Sequence, residues 1–189
     1  MRIFVAVSLD AAARSEIRDW IATMRPLGSP SIRWVEPAGL HVTISFLGEV
    51  KPAQIEIARE AIESAARSLQ AFDLELAGIG TFPSQGRLRV IWIGCGRGTR
   101  QLTGLHECIG ESLAAAGFQP DRSRFQPHVT VGRVKGPIDE RVQATLSDAT
   151  FCATDPVRVS CVKLLESQLH ADGPRYSELA TIQLSPPTH

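Results

Sequence analysis

The sequence predicts an α+β protein built from two related halves, and three observations carry that expectation. His41-Val42-Thr43-Ile44 recurs almost unchanged as His128-Val129-Thr130-Val131. Short β-branched runs alternate with Ala- and Glu-rich runs of helical period along the chain. No low-complexity stretch is long enough to separate independent domains, so residues 1–189 read as a single bilobal domain. Average residue usage makes the second copy of the motif a roughly one-in-a-thousand accident. Two copies imply one paired site.

Arg2 to Leu9 reads as a buried strand, and Asp10 is placed to cap a helix from about Ala11 to Met24. Pro26, Gly28 and Pro30 force a loop. Ile32 to Val35 is a short strand, and the first motif strand runs from His41 to Leu47 before Gly48 ends it. Pro52 opens a helix to about Leu69. Phe72 to Ala77 and Leu88 to Gly94 are strands joined through a turn at Pro83 to Gly86, and Thr99 caps a helix that ends near Gly117. Arg124 to Pro127 leads into the second motif strand, His128 to Val134, and Pro137 begins a helix to about Leu146. Val157 to Leu165 and Tyr176 to Leu184 are strands around a Gly173-Pro174 loop, and the tail from Pro186 to His189 frays. Together these elements make two antiparallel-rich sheets with helices outside and a groove between them holding both motifs.

Composition narrows the function classes. The 43% hydrophobic residues of a 189-residue chain can fill a core. Its 20 basic and 20 acidic side chains cancel, which excludes a molecule that is basic overall and makes any nucleic-acid contact local. Between Gln85 and Arg133, seven arginines stand against three acids, which reads equally as a patch facing RNA or as dispersed surface charge. No run of about 18 apolar residues is present, and Asp10 arrives too early for a signal-peptide core, so no membrane association and a cytoplasmic location are expected. Cys95, Cys108, Cys152 and Cys161 are scattered without a C-x-x-C pair and read as reduced, mostly buried thiols. His106 and Cys108 do not share a helix face and receive no role. Gly94 to Gly98 fails the spacing of both phosphate-loop patterns and is read as a tight turn.

Strand alternation assigns the faces. His41, Thr43 and Ser45 point one way while Val42, Ile44 and Phe46 point the other; His128 and Thr130 oppose Val129 and Val131 in the same manner. Ser45 is left out of the site because Gly132 takes its place in the second copy. Trp34, Trp92 and Phe46 have rings suited to stacking on a base, but Trp92 and Phe46 lie within apolar runs and are assigned to the core.

The residues resemble the two-histidine (2H) phosphoesterases, and within them the bacterial and archaeal RNA 2′,3′-cyclic phosphodiesterases also called 2′-5′ RNA ligases. Arg2-Ile-Phe-Val-Ala, Trp34-Val35, Leu40 to Gly48, Phe82-Pro83, Arg89 to Gly94, Phe125 to Arg133 and Leu165-x-Ser with Tyr176 all follow the family pattern, in family order. The resemblance implies two pseudo-symmetric lobes related by a twofold axis, with one His-x-Thr strand from each facing the other across a cleft. It implies a 2′,3′-cyclic phosphate at an RNA end as substrate, a 2′-phosphate as product, His41 as proton donor and His128 as proton acceptor. Arg133 matches a family position that binds phosphate or the terminal nucleotide.

The residue types fit that chemistry. Opening a cyclic phosphodiester needs a base for the attacking water and an acid for the leaving oxygen, and two histidines across a cleft supply both, each worth ~10²–10⁴ in rate. Thr43 and Thr130 would hydrogen-bond the non-bridging oxygens. The scheme requires no metal and no other cofactor, and no obligate protein partner is evident. Arg133 is five residues beyond His128, so a regular strand turns it away, and it reaches the cleft only if the strand bulges or ends first. Alternatives are 2′-5′ ligation, another small cyclic or 2′-5′ phosphodiester, and a non-catalytic module that binds RNA ends or nucleotides.

Overall fold

The computed structural model describes residues 1–27, 30–83, 87–119, 121, 124–170 and 173–186. Among them the apolar patterning resolves into β1 (Arg2–Ser8), α1 (Ala11–Met24), β2 (Ile32–Trp34), β3 (His41–Glu49), α2 (Ile55–Ala66), β4 (Phe72–Leu74) and β5 (Leu76–Phe82). The order continues with β6 (Val90–Cys95), α3 (Thr99–Ala115), β7 (His128–Val134), α4 (Glu140–Asp148), β8 (Val157–Val159), β9 (Cys161–His170) and β10 (Gly173–Gln183). Asp10 caps α1 as expected, its carboxylate accepting from the Ala13 amide at 2.8 Å.

Several boundaries differ from expectation for identifiable reasons. The strand read as Phe72 to Ala77 is two, β4 and β5, and β5 runs on through Gly78 and Gly80, residues that read as breakers. The strand read as Val157 to Leu165 divides at Ser160, β8 pairing with β4 while β9 pairs with β1. Pro52 opens a short 3₁₀ turn, and α2 ends at Ala66 rather than Leu69. Asp139 rather than Pro137 sets the start of α4, accepting from the Val142 amide at 2.8 Å. The cap of α3 is Gly98 at φ 95°, while the Thr99 hydroxyl donates back to the carbonyls of Cys95 and Gly96. Gly173 and Pro174 belong to β10. Gly28, Ser84 to Gly86, Arg122 and the last three residues of the tail lie outside the described residues.

Eight strands form one sheet in the order β10-β9-β1-β3-β7-β6-β5, with β2 also paired to β7; β4 and β8 form a second, two-stranded sheet. The two motif strands therefore share a sheet, and among the described residues a single pair joins β3 to β7: Val42 opposite Val129, in the middle of the two motifs. Beyond that pair each motif strand is flanked by the lead-in to the other. β7 is covered by β2, which precedes the first motif, with Trp34 opposite Gly132 and Arg33 opposite Arg133. β3 receives Asp121, from the segment preceding the second motif, whose amide donates to the Phe46 carbonyl at 3.4 Å.

The helices pack one face of this sheet. Ala13, Ile17 and Ile21 of α1 and Leu102, Leu105, Ile109 and Leu113 of α3 join Ile3, Val5, Val42, Ile44, Val129 and Val131 in one core. Each large aliphatic side chain buried there contributes about 1.5–3 kcal/mol. Phe4 and Ala6, which alternate with the core residues of β1, lie on the other face, where they pack with Leu165 and Tyr176. That face carries both motifs.

Candidate active site

Both motif strands bulge at the same place. Along β1 the partners run Phe4 to Phe46, Val5 to Ser45 and Ala6 to Thr43, so Ile44 is left without an opposite residue. Along β6 they run Ile91 to Gly132 and Trp92 to Thr130, leaving Val131 without one. Each extra residue resets the alternation. Ser45 turns inward, 3% exposed, with its hydroxyl lacking a hydrogen-bond partner among the described residues, so it does not share the His41 face as regular alternation predicts. Phe46 turns outward, 54% exposed, and is not a core residue. Arg133 returns to the face of His128 and Thr130, which is the condition its sequence position demanded.

The two imidazoles are held alike. His41 Nδ1 lies 2.8 Å from the Gly39 carbonyl and His128 Nδ1 lies 2.7 Å from the Gln126 carbonyl, in each case two residues upstream. A carbonyl accepts only, so Nδ1 carries the proton, and the neutral ring keeps its lone pair on Nε2. Aromatic rings fix the planes. His41 lies 5.0 Å from Phe4 and 5.1 Å, edge-on, from Tyr176 between ring centroids; His128 lies 5.1 Å, edge-on, from Phe82 and 6.1 Å from Trp92. The Trp92 indole lies across Gly80, where an added Cβ would come within 2.1 Å of it. Gly80 is therefore a packing requirement on the His128 side.

Burial pushes the His41 imidazole down to about 4, helped by the positive charge of Arg133 and by His128, and opposed by the Gly39 carbonyl. Burial lowers His128 as well, and Arg133 adds to it against the Gln126 carbonyl. The Tyr176 phenol is raised by burial; Arg133 opposes this by its charge and by a hydrogen bond to the hydroxyl. Arg133 thus reaches both histidines electrostatically and is steadied by Tyr176. Thr43 and Thr130 are half-buried on the same face. The structure brings together all five residues singled out in the sequence: His41, Thr43, His128, Thr130 and Arg133.

Sequence reasoning missed His106. Its Nδ1 lies 2.7 Å from the Ile44 carbonyl, and its ring stacks on Phe125 at 4.3 Å and 3°. It therefore ties the first bulge to the segment that leads into His128. In the second copy the equivalent carbonyl, that of Val131, accepts from the Val35 amide at 2.9 Å. The available signal was its place between Leu102 and Ile109 on the apolar stripe of α3, where a polar ring needs a partner.

Other expectations resolve differently. Of the segment read as a tight turn, Gly94 and Cys95 end β6 and only Gly96 to Gly98 turn, tied to the β4–β5 junction through Glu75, which pairs with Arg97 at 3.1 Å. The four thiols are free as expected, but none is fully buried: Cys152 is exposed and the others are half-buried, with burial pushing Cys95 up to about 12. Trp34 packs edge-on against Trp20 at 6.1 Å. Hollows of about 330 Å³ beside Ser68 and Gln101 and about 440 Å³ beside Arg87 and Gly136 are lined by no motif residue. Among the described residues no group of three or more His, Cys, Asp or Glu is arranged to hold a metal ion, and no helix is long and apolar enough to cross a membrane.

Comparison with known proteins identifies the family and the fold. Residues 13–170 match the family described as the 2′-5′ RNA ligase superfamily. An RNA 2′,3′-cyclic phosphodiesterase of Archaeoglobus fulgidus is 32% identical over 185 residues, covering 97% of this chain and 100% of that protein. One from Methanothermobacter thermautotrophicus is 29% identical, covering 97% and 99%. Among solved structures, one from Thermus thermophilus superposes with a TM-score of 0.81 at 27% identity over the full length of both chains. Escherichia coli LigT complexed with 3′-AMP superposes with a TM-score of 0.78 at 25% identity, covering 97% of each chain. The likeness extends over the whole fold that carries the two His-x-Thr strands, and the chain belongs to the 2′-5′ RNA ligase superfamily, the two-histidine phosphoesterases, a family of hydrolases.

Proposed function

We propose that this chain hydrolyses RNA 2′,3′-cyclic phosphate ends to 2′-phosphomonoesters, by general acid/base catalysis between His41 and His128 and without a metal ion. The carrying observation is the matched tethering of the two rings, each with Nδ1 on a carbonyl and Nε2 left for chemistry. Water attacks phosphorus while His128 Nε2 takes its proton; the bond from phosphorus to the 3′ oxygen breaks, and His41 Nε2 delivers a proton to that oxygen. Thr43 and Thr130 hold the non-bridging oxygens, and Arg133 offsets the charge that builds on them. The names of the Archaeoglobus and Methanothermobacter relatives and the 3′-AMP held by LigT support a nucleotide phosphate as ligand.

The depressed basicities shape this mechanism. Before a phosphate binds, the burial of both rings and, to a lesser degree, the positive charge of Arg133 favour the neutral imidazoles. Neutral His128 is ready as the base. His41 becomes an acid when the phosphate anion enters, because an adjacent negative charge stabilises the imidazolium. Partners are accordingly RNA ends or small nucleotides bearing a cyclic phosphate, handled by one bilobal domain in the cytoplasm without a membrane or an obligate protein partner. Replacing His41 or His128 by Ala is expected to lower kcat at least ~10²-fold with an unchanged circular dichroism spectrum. A His128→Ala protein that keeps most of its kcat refutes the assignment. The family's own description favours one second reading, 2′-5′ joining, in which an RNA 5′-hydroxyl replaces water on the same base; supplying 5′-hydroxyl fragments reveals it as a longer product.

A further inference from the structure

Arg133 stands directly opposite Arg33 in the pairing of β7 with β2. Ile32 is buried and Trp34 packs against the same core, so Arg33, between them, projects to the other face, the one that carries His128, Thr130 and Arg133. Two like charges directly opposite on one face of an antiparallel pair oppose folding. The register continues one step further, where the Lys135 amide donates to the Ser31 carbonyl at 2.8 Å. Alternation returns Lys135 to the side of Arg133, about 6–7 Å farther along the strand. Among the described residues no carboxylate forms an ion pair with Arg133 or Lys135. Three cations thus share one end of the site, an arrangement whose repulsion is relieved when anions lie among them.

Both guanidinium groups are held by β10. The Tyr176 hydroxyl is hydrogen-bonded to Arg133, and an added Cβ at Gly173 would come within 3.2 Å of Arg33 Nη2, so the Arg33 guanidinium packs on Gly173. The internal repeat shows that the cluster is one-sided. Past the bulge, the second copy presents Arg133 with Arg33 alongside, whereas the first presents Phe46 with Asp121 alongside. The site is matched around the reacting phosphate and cationic only beyond Thr130. Arg133 serves that phosphate, which leaves Arg33 and Lys135 for a second anion one step away, and in an RNA end the next anion is the phosphodiester one nucleotide back. We propose that Arg33 and Lys135 bind the phosphodiester linking the terminal nucleotide to the rest of the strand, while Arg133 holds the phosphate between His41 and His128. This rests on the reading of the site as acting on RNA cyclic phosphate ends, and narrows it: the substrate is a strand end, and a free cyclic mononucleotide leaves this subsite unfilled. Backbone phosphates carry no sequence, so the contact is indifferent to the base.

The test measures equilibrium binding, which does not depend on turnover. Three ligands are titrated calorimetrically: adenosine 2′-monophosphate, the dinucleotide adenylyl-adenosine 2′-phosphate, and the same dinucleotide with an uncharged methylphosphonate linkage. Wild type is expected to bind the charged dinucleotide about tenfold tighter than either of the others, with a log K against log salt slope steeper by about 0.7 for each phosphate contact. Arg33→Gln and Lys135→Gln are each expected to weaken the charged dinucleotide several-fold more than the mononucleotide and to flatten that slope, while Arg33→Lys, which keeps the charge, retains the preference. Equal wild-type affinity for the charged and uncharged dinucleotides, a preference that survives both Gln substitutions, losses as large for the mononucleotide, or no binding of any ligand overturns the proposal. Hydrolysis of cyclic phosphate is assayed separately. An inactive protein that shows the charge-dependent preference refutes the proposed reaction and leaves the subsite standing; an active one without the preference refutes the subsite alone.

Discussion

His41 and His128 carry the same tether but sit in different surroundings, and the difference has a measurable sign. His41 packs between Phe4 and Tyr176 and falls to about 4; His128, against Phe82 and Trp92, is lowered from the ordinary 6.5 for the same first cause, burial. Profiles of kcat/KM report the free enzyme. Both limbs are therefore expected below pH 6.5: activity rises as the first imidazole loses its proton near pH 4 and declines as the second does so. In kcat, which reports the complex, the alkaline limb is expected at higher pH because the bound anion favours imidazolium. An alkaline limb of kcat/KM above pH 7 contradicts this account of the unliganded site. Arg133 is the residue that links these effects, acting on both histidines and on Tyr176.

The bulge is the element on which the site depends. Without it, Ser45 and Gly132 would share the face of His41 and His128 while Phe46 and Arg133 lay in the interior. Its two instances are secured differently: the Val131 carbonyl accepts from the Val35 amide, the Ile44 carbonyl from the His106 ring. Only the second can be removed by changing a side chain. His106→Ala is expected to cost about 1–3 kcal/mol of stability, the price of an unpaired buried carbonyl, and to lower kcat/KM by loosening both β3 and Phe125. Chemical denaturation and steady-state kinetics check it, and a variant with wild-type stability shows that the bulge holds itself. A bulge is also where strand reading fails. Period-two alternation correctly faced His41 with Thr43 and His128 with Thr130, which precede the irregularity, and misplaced Ser45 and Phe46, which follow it. For Arg133 the same rule exposed the conflict and named the bulge as its resolution.

Across the whole molecule, the repeat made the paired site legible, because two matched strands have to meet for either to matter. The joint itself was not legible. Nothing in the local pattern distinguishes two sheets facing a groove from one sheet joined at Val42 and Val129, since the pairing partner of a buried strand is a tertiary choice. The reciprocal flanking, with β2 beside β7 and Asp121 beside β3, likewise involves residues distant in the chain. Nor did the sequence bring the aromatic brackets together: Phe4, Tyr176, Phe82 and Trp92 come from four separate strands, and nothing local says that each pair flanks a histidine. This organisation places both imidazoles on one face of the sheet, where the proposed reaction needs them. The most direct test is to incubate the protein, with EDTA present, with a short RNA ending in a 2′,3′-cyclic phosphate and to follow it by phosphorus NMR. The account predicts conversion of the cyclic phosphate to a 2′-phosphate; a 3′-phosphate contradicts the assigned leaving group, and no reaction contradicts the proposed hydrolysis.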